Sequence, residues 1–351
     1  MIKNSSILKI NTKNIIYNYN FFKKLKKDLI VAPTIKANAY GLGDEYIFKL
    51  LIKKKCKHFF VATLEEGLKL NKISSKANIY ILNGIQNYDL NLFDKNLIPI
   101  INSNHEFNKI KNSDLNFGIH IDTGINRLGI NYNQIEKNIF NNKKINIVIS
   151  HLASADENEN NYNIIQKKRF DKTITKFKKK DIIFSLANSN GSILPNLFTY
   201  DMIRPGIGIY GGNNKNKKLN KNLKSVLTFS GKIIQIKFIN KNQYIGYNQT
   251  FKTKRNTKVA IIGVGYADGI PRKLSNKGIV YYKNNKLKII GRVSMDSFII
   301  DITNSKHNLK VGTYIDLFNT HYDIEKFANQ CETISNEVLT SIGSRVLRLY
   351  E

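Results

Sequence analysis

Short apolar runs alternate with polar or amphipathic segments along the first two thirds of the chain. Eight runs rich in β-branched and aromatic residues occupy positions 29–36, 58–63, 78–83, 97–101, 116–122, 145–151, 181–188 and 202–208. Between them lie segments such as DEYIFKLLIKKK, whose apolar residues recur at helical spacing. Alternation of this kind is typical of βα units, and strands that are apolar throughout are covered on both faces. The pattern predicts an α/β fold built as a (β/α)8 TIM-type barrel.

The pattern changes after YGGNNKNKKLNKNLKS, an Asn-, Lys- and Gly-rich stretch typical of a linker. The residues that follow form strand-like runs with short turns, including a hairpin turn in YKNNKL, and a helical segment lies in DIEKFANQCETISNEVLTSI. We therefore expect two domains, a barrel over residues 1–223 and a mostly-β domain over residues 224–351.

Composition excludes several classes of protein. The 351 residues are 42% hydrophobic and 23% charged, as is usual for soluble globular proteins. Two widely separated cysteines, Cys56 and Cys331, favour a reducing compartment over a disulfide framework, and the six histidines lack the HExxH spacing of zinc hydrolases. No apolar run reaches the roughly 18 residues of a membrane span, and the polar N-terminal segment has no signal-peptide core. We expect a cytoplasmic protein that binds no metal and no membrane.

The net charge of +30 raises the question of nucleic-acid binding. Lysine, however, is spread along the whole chain with an excess of Asn and Ile, as codon bias in an AT-rich genome produces. Short clusters such as KKLKKD are typical of solvated helix faces. We expect no specific nucleic-acid partner, although non-specific binding at low salt follows from the charge.

Polar side chains occur where the predicted strands end. They are Lys36, Asp122 with Arg127, His151, Asn188 with Ser189, and Arg204. In a barrel these strand ends gather the βα loops at which active sites lie. Each residue alone has an ordinary interpretation, as a snorkelling lysine, a core histidine or a paired arginine, but their joint placement favours a functional site.

Lys36 stands in the stretch VAPTIKANAYGLG, at the end of an apolar run. A desolvated lysine has a lowered pKa, which suits Schiff-base formation with an aldehyde. The stretches ANSNG and PGIG supply hydroxyl and backbone N–H donors for a phosphate, among them Ser189, Gly206 and Ile207. Together these features point to pyridoxal 5'-phosphate.

Seven motifs resemble those of alanine racemases, a family of pyridoxal-phosphate enzymes of fold type III. They are IKANAYGLG (35–43), IDTGINRLG (121–129), SHLASADE (150–157), LANSNG (186–191), IRPGIGIYG (203–211), GVGYADG (263–269) and GRVSMDS (291–297). The motifs occur in the family's order over nearly the whole chain. The resemblance implies an isomerase that interconverts L-alanine and D-alanine by a two-base mechanism on a pyridoxal phosphate aldimine and supplies D-alanine for peptidoglycan.

The resemblance also implies two catalytic residues. Lys36 matches the lysine that holds the cofactor and acts as the base on the D-alanine face, and Tyr266 matches the base on the L-alanine face. In the family this tyrosine comes from the partner subunit, as does the residue that matches Met295 at the substrate pocket. A homodimer with shared active sites is therefore implied, in which residues 224–351 contribute to the partner's site.

Further implied roles concern the cofactor. Arg204 matches the arginine that donates to the pyridine nitrogen, and His151 links that arginine to the catalytic tyrosine. Arg127 matches the arginine beside the cofactor's phenolic oxygen and the substrate carboxylate. The implied phosphate contacts are Tyr40, Ser189 and the backbone at Gly206 and Ile207, and Asn188 in the same motif is assigned to the cofactor.

Three positions depart from the family. His120 stands where the family often has a carbamylated lysine that supports the arginine matching Arg127, which leaves the orientation of Arg127 open, with a bound anion as one option. Ser185 replaces a histidine that supports the pyridine-facing arginine, which predicts a looser network around Arg204. Ser344 replaces a tyrosine on the phosphate and retains one hydroxyl donor.

Three alternative functions share some of these features. A broader racemase of small amino acids, acting for example on serine, has the same fold. A non-catalytic pyridoxal-phosphate-binding protein would keep Lys36 but lack GYADG and the β domain. Fold-type III decarboxylases would place a carboxylate, not Arg204, on the pyridine nitrogen.

Overall fold

The chain forms two compact units. The computed structural model describes residues 4–195, 198–213 and 216–351. The parallel-strand unit comprises Ile15–Lys224, and the β-rich unit comprises Ser225–Glu351 together with the residues up to Asn14. Strand β1 (Ser6–Ile10) pairs with residues 227–231 and 347–350. Because of these pairings the residues up to Asn14 belong to the β-rich unit. The sequence-based division had placed them in the barrel domain of residues 1–223.

The parallel-strand unit alternates strands with helices. Its strands are β2 (Ile30–Val31), β3 (His58–Val61), β4 (Asn78–Ile81), β5 (Leu97–Ile101), β6 (Phe117–Asp122), β7 (Ile130–Asn131), β8 (Ile145–Ile149), β9 (Ile183–Ser185) and β10 (Met202–Ile203). Its helices are α1 (Thr12–Lys23), α2 (Lys36–Tyr40), α3 (Asp44–Ile52), α4 (Leu64–Asn71), α5 (Asn104–Ile110), α6 (Asn161–Ile174) and α7 (Lys217–Asn222). The boundary between the two units, after Asn14, falls within α1. Helix α7 lies in the segment that the sequence indicated as a linker, part of which, residues 214 and 215, falls outside the described residues.

Every one of the eight apolar runs contains a parallel strand. Strands β3, β4, β5, β6, β8 and β9 pair in that order, and β10 pairs with β2. Isolated bridges join Thr34 to Phe60 and Asn188 to Arg204, so β2 is linked to β3 and β9 to β10. The first and last strands are shorter than predicted because Pro33 and Pro205 lack the N–H group that a ladder requires.

Side chains from alternate strand positions form a buried cluster inside this unit. Its members are Ala32, Phe60, Tyr80, Ile98, Ile100, Ile147, Ile149 and Met202. Gly118 on β6 belongs to the same layer, because a Cβ atom there would lie 2.5 Å from Ile100 Cδ1 and 2.6 Å from Ile147 Cγ2. Two residues further along β6, His120 lies on the same face, nearer the carboxyl ends of the strands.

The β-rich unit is mainly antiparallel, with strands β11 (Leu227–Ile239), β12 (Tyr244–Ile245), β13 (Phe251–Lys252), β14 (Thr257–Ile262), β15 (Ile279–Tyr282), β16 (Asn285–Ile290), β17 (Phe298–Asp301), β18 (Tyr314–Phe318) and β19 (Leu347–Tyr350). Eight of its strands form one sheet in the order β14-β17-β16-β15-β18-β11-β1-β19, and β14 also pairs with β11. The predicted hairpin is present, with Tyr282 opposite Asn285.

The predicted C-terminal helical segment consists of two helices, α8 (Ile324–Gln330) and α9 (Ser335–Thr340). Glu332 between them has φ +57°, a left-handed conformation that ends a right-handed helix. Among the helices of the described residues, none has both the length and the apolar content to cross a lipid bilayer.

Candidate active site

Lys36 follows β2 and begins a left-handed turn. The next four residues, Ala37 to Tyr40, have φ values of 52°, 55°, 51° and 56°. None is glycine, and each L-residue in this conformation costs about 1–2 kcal/mol, so the surroundings must hold the turn in place. The Glu66 carboxylate accepts a 2.6 Å hydrogen bond from Ala37 N, and Asn38 Oδ1 accepts one of 3.0 Å from Asp44 N. Strain of this kind is typical of functional sites.

The Lys36 amine is largely desolvated. Burial and the positive charge of Arg127 lower its pKa, and the negative charge of Glu66 opposes them. The amine donates no hydrogen bond to any residue that the structure describes. An unpaired lysine of lowered basicity at a strand end is suited to covalent attachment of an aldehyde.

The residues predicted to bind phosphate come together. Ser189 Oγ accepts hydrogen bonds of 3.1 Å from both Gly206 N and Gly208 N. A Cβ atom on Gly206 would lie 2.2 Å from Tyr40 Oη, so the tyrosine hydroxyl requires glycine at that position. Burial raises the pKa of Tyr40 to about 12, which keeps its hydroxyl as a donor. Tyr40, Ser189 and the Gly206 loop thus form one polar cluster.

Two other predicted cofactor residues lie beside this cluster. Within the described residues, the backbone N–H of buried Ile207 donates no hydrogen bond and is available to an anion. Asn188 Oδ1 instead accepts a 2.8 Å hydrogen bond from Gly191 N and stabilises the short 3-10 helix Gly191–Ile193. The Asn188 side chain therefore orders the loop that presents Ser189.

Arg204 is almost completely buried and held by backbone and hydroxyl oxygens. Its Nη1 donates to Ser185 O at 2.9 Å and to Ser185 Oγ at 2.6 Å, and its Nη2 donates to Ser150 O. Ser185 therefore bonds the guanidinium twice, once through its main-chain carbonyl and once through its hydroxyl, and whether the network is looser than in the family stays a prediction. Burial lowers the pKa of Arg204 to about 9, so it stays protonated at neutral pH. Its Nε–H donates to no residue in the described ranges and remains for a ligand.

His151 lies next to Arg204. Its Nδ1 is 3.5 Å from Arg204 Nη2, and because arginine has only donors, Nδ1 acts as the acceptor. Burial and the charge of Arg204 hold the pKa of His151 well below its ordinary value. The ring is therefore neutral, with its proton on Nε2, which is free to donate to another group.

His120 is also neutral and buried. Asn102 Nδ2 donates to Leu82 O and Ile100 O, both at 2.9 Å, so Asn102 Oδ1 is the acceptor of the 2.9 Å bond from His120 Nδ1. Burial, with the charges of Arg204 and Arg127, lowers the pKa of His120 to about 3. Its Nε2 atom has no partner within the described residues and presents a bare lone pair. A neutral ring with a lone pair does not attract an anion.

Arg127 lies on an ordered loop but is itself exposed. Asp122 Oδ1 accepts bonds from Gly124 N at 2.8 Å and Asn126 N at 3.2 Å. Helix α6 secures the same loop, since Arg169 Nη1 donates to Thr123 O at 2.9 Å and Tyr162 Oη to Gly124 O at 2.9 Å. The Arg127 guanidinium makes no hydrogen bond with any described residue, although its charge acts on Lys36, His120 and His151.

Tyr266 and Met295 lie in the β-rich unit on two loops that are bound to each other. Their side chains are 42% and 53% exposed. Tyr266 N donates to Ser294 O and Ala267 N donates to Met295 O, both at 3.0 Å. A Cβ atom on Gly265 would lie 2.3 Å from Met295 O, so the loops approach this closely only with glycine.

One arginine joins the two loops through their carboxylates. Arg345 donates from Nε to Asp268 Oδ1 at 2.6 Å and from Nη2 to Asp296 Oδ1 at 2.8 Å. Asp268 Oδ2 in turn accepts a hydrogen bond of 2.8 Å from Gly265 N. The loops that carry the exposed side chains of Tyr266 and Met295 are thus held in place by these hydrogen bonds and ion pairs. Ser344, beside Arg345, is exposed in this unit.

Comparison with known proteins agrees with this arrangement. Residues 10–214 match the family profile described as alanine racemase, N-terminal domain, and residues 226–350 match alanine racemase, C-terminal domain. The chain belongs to the alanine racemase family. It is 38% identical to an alanine racemase of Rickettsia canadensis, covering 98% of both chains.

Solved alanine racemases have the same fold. The chain superposes on the Bartonella henselae enzyme, whose structure contains covalently bound pyridoxal phosphate, with a TM-score of 0.93 at 33% identity over 99% of this chain and 100% of the other. The Acinetobacter baumannii enzyme gives 0.88 at 26% identity over the same shares.

Sequence reasoning missed three residues that shape the racemase-like site. They are Glu66, Arg169 and Arg345. Glu66 had a detectable signal, since Thr63-Leu-Glu-Glu66 fits the capping-box pattern directly after a predicted strand. The contacts of Arg169 and Arg345 join segments that are distant in sequence, and no local pattern indicates them.

Proposed function

We propose that this chain is a pyridoxal-phosphate-dependent alanine racemase that interconverts L-alanine and D-alanine. The observation that carries the proposal is the unpaired Lys36 amine on a strained turn that also places Tyr40 against the Ser189–Gly206 cluster. Its N-terminal fold, in this proposal, is a (β/α)8 barrel, which the successive parallel pairings and the two bridges support.

The residues present fit the cofactor. Lys36 would hold it covalently, while Tyr40, Ser189 and the Ile207 N–H would bind its phosphate. The unused Nε–H of Arg204 would donate to the pyridine nitrogen. When bound, the cofactor withdraws electrons from the alanine Cα and so acidifies its hydrogen. The donor set suits a pyridine ring that carries a phosphate group, and Arg204, the residue assigned to the nitrogen, makes no bond to a carboxylate within the described residues.

Arg204 limits this electron withdrawal. Because it keeps its own proton, it would donate a hydrogen bond to the nitrogen without protonating it. Weaker withdrawal favours return of a proton to Cα over loss of the carboxylate. The double contact with Ser185 holds the guanidinium in this position. This argument separates the chain from decarboxylases of the same fold type.

Two bases on opposite faces would move the proton. Lys36 Nζ would take it from D-alanine, and Tyr266 Oη of the partner subunit would take it from L-alanine. The neutral His151, with its proton on Nε2, would donate to the tyrosine oxygen and stabilise its deprotonated form. Arg127 would bind the substrate carboxylate, with Met295 of the partner at the pocket wall.

The proposal includes a homodimer with shared sites, in which residues 224–351 serve the partner. The exposure of Tyr266 and Met295 on braced loops supports it. A cytoplasmic enzyme that supplies D-alanine for peptidoglycan is consistent with the sequence. A broader racemase that also accepts serine is the second candidate, because no residue of the site by itself distinguishes a hydroxymethyl side chain.

Chiral analysis of products tests the proposed function. Purified protein incubated with L-alanine, and separately with L-serine, should form D-alanine much faster than D-serine. The protein should be yellow, and Lys36→Ala should lose both the colour and the activity. Equal rates on the two substrates would favour the broader racemase, and a yellow wild-type protein without turnover would favour a cofactor-binding protein.

A further inference from the structure

Glu66 joins two strand–helix loops through one carboxylate. Oε2 accepts Ala62 N at 2.7 Å and Thr63 N at 3.3 Å, which completes the capping box of α4. Oε1 is not needed for the cap and accepts Ala37 N at 2.6 Å. Ala37 is the first left-handed residue of α2 and directly follows Lys36. The carboxylate therefore fixes the turn at the position where the lysine leaves it.

Helix α5 carries the same device without a lysine. Glu106 Oε2 accepts Asn102 N at 2.7 Å, and Oε1 reaches the preceding loop at Gln86 N, 3.2 Å away. Gln86 also has a positive φ of 44°. A carboxylate in the first turn of a helix that accepts the backbone N–H just before the N-cap and a second one from the previous loop is thus a repeated structural element of this unit. At Glu106 the carboxylate bonds only backbone N–H groups, and no proposed catalytic residue follows the loop residue that it bonds.

Glu66 differs from Glu106 in what its charge acts on. Two charged groups influence the pKa of the Lys36 amine. The positive charge of Arg127 lowers this pKa, and the negative charge of Glu66 raises it. The other ionisable group near the amine, His151, is neutral. Within the described residues, Glu66 is the only carboxylate that acts on Lys36.

We propose that Glu66 is a positioning residue for Lys36, which fixes the left-handed turn and supplies a negative charge that partly offsets Arg127 at the amine. The inference deepens the proposed function and rests on it for the role of Lys36. A base that both takes and returns a proton must bind it neither too weakly nor too tightly. Arg127 alone would weaken proton binding, and Glu66 moderates that effect without an ion pair that would immobilise the amine.

The test measures Lys36 in the full-length protein freed of cofactor. Trace acetylation over a range of pH, read by mass spectrometry of the Lys36 peptide, gives the pH at which the amine loses its proton. Glu66→Gln should move this midpoint to lower pH, because the variant keeps the shape but loses the charge. Glu106→Gln, which removes the same charge from the equivalent position of α5 where it does not act on Lys36, should leave the midpoint where it is.

Affinity for pyridoxal 5'-phosphate, followed by visible absorbance, provides a second readout. Glu66→Gln should weaken binding roughly tenfold, since a charge-assisted bond to the strained turn is lost, and Glu106→Gln should change it by less than about twofold. If Glu66→Gln fails to fold, Glu66→Asp serves instead, since it keeps the charge but withdraws from Ala37. It should weaken binding while leaving the midpoint near that of the wild type.

Coincident midpoints for Glu66→Gln and Glu106→Gln, or an upward shift for Glu66→Gln, would overturn the inference and leave Glu66 a helix cap. Neither readout requires turnover. A wild-type protein that binds the cofactor but does not racemise alanine would therefore contradict the proposed function and leave the result on Glu66 intact.

Discussion

At the scale of single residues, two neutral histidines lie near an arginine that is protonated at neutral pH. His120 and His151 both lose their affinity for protons through burial and the charge of Arg204. Each ring therefore has a defined tautomer, with Nδ1 protonated in His120 and Nε2 protonated in His151. The position of the proton on each of these two rings is therefore set by its hydrogen-bond partners and not by solution pH near neutrality.

Exchange of the alanine α-hydrogen with deuterium oxide separates the two bases. In Tyr266→Phe, exchange from L-alanine should fall by roughly 100-fold or more, as expected for loss of a general base. Exchange from D-alanine, which uses Lys36, should persist. Racemisation itself falls in both directions, because each requires both groups. Equal, small losses of exchange from the two enantiomers would remove Tyr266 from this role.

The stability of the fold should depend on His120. Its pKa is about 3 when folded, against an ordinary value of about 6.5. Between these values the unfolded chain binds a proton that the folded chain does not, so stability is full above pH 6.5 and decreases as the pH falls. From pH 6.5 to pH 4 this contribution is on the order of 3 kcal/mol.

Denaturant midpoints measured across this pH range test the effect. His120→Asn should be less stable at pH 7 but should lose less stability on acidification than the wild type. Parallel pH profiles for the two proteins would contradict a neutral, buried His120.

At the scale of elements, the site depends on loops braced by carboxylates. Glu66 secures the Lys36 turn, Asp122 the Arg127 loop and Asp268 the Tyr266 loop. Each carboxylate accepts backbone N–H groups, so it fixes the main chain and leaves the functional side chain free. These hydrogen bonds fix the main chain at each loop, so Lys36, Arg127 and Tyr266 start from a defined backbone position although their side chains are exposed or unpaired.

Arg345→Lys tests the brace in the β-rich unit. Lysine keeps the charge but cannot bond Asp268 and Asp296 with one planar fork. Turnover should fall about tenfold through displacement of Tyr266, close to the lower end expected for loss of a hydrogen bond between charged groups. Cofactor absorbance should not change. Asp296→Asn, which alters only the exposed arm, should have a smaller effect, and a loss of cofactor in Arg345→Lys would contradict this assignment.

Apolar periodicity located eight of the nine strands of the parallel-strand unit because buried strands require continuous apolar runs, and it missed β7, which has only two residues. Strand β1 was missed because a five-residue strand in a polar terminus has no such run, and its partners are distant in sequence. The left-handed turn after Lys36 was also unpredictable, since alanine and tyrosine disfavour that conformation and only tertiary contacts impose it. Tyr266 and Met295 were found through family resemblance alone, as neither lies in a distinctive local pattern.

At the scale of the whole molecule, the two units carry different parts of the proposed chemistry. The parallel-strand unit holds Lys36, Arg204 and the phosphate cluster, and the β-rich unit holds Tyr266. The exposed tyrosine has a function only if a second surface receives it. In the proposed homodimer, catalysis requires two copies of the chain, one supplying the lysine and the other the tyrosine.

Subunit complementation measures this central claim directly. Lys36→Ala and Tyr266→Phe proteins, each inactive alone, are mixed, dissociated and allowed to reassociate. A mixed dimer has one site with both native residues and one with neither, so random pairing should restore about a quarter of wild-type racemase activity. No recovery, despite mixed dimers shown by mass spectrometry, would place both residues in the same subunit's site and contradict the account.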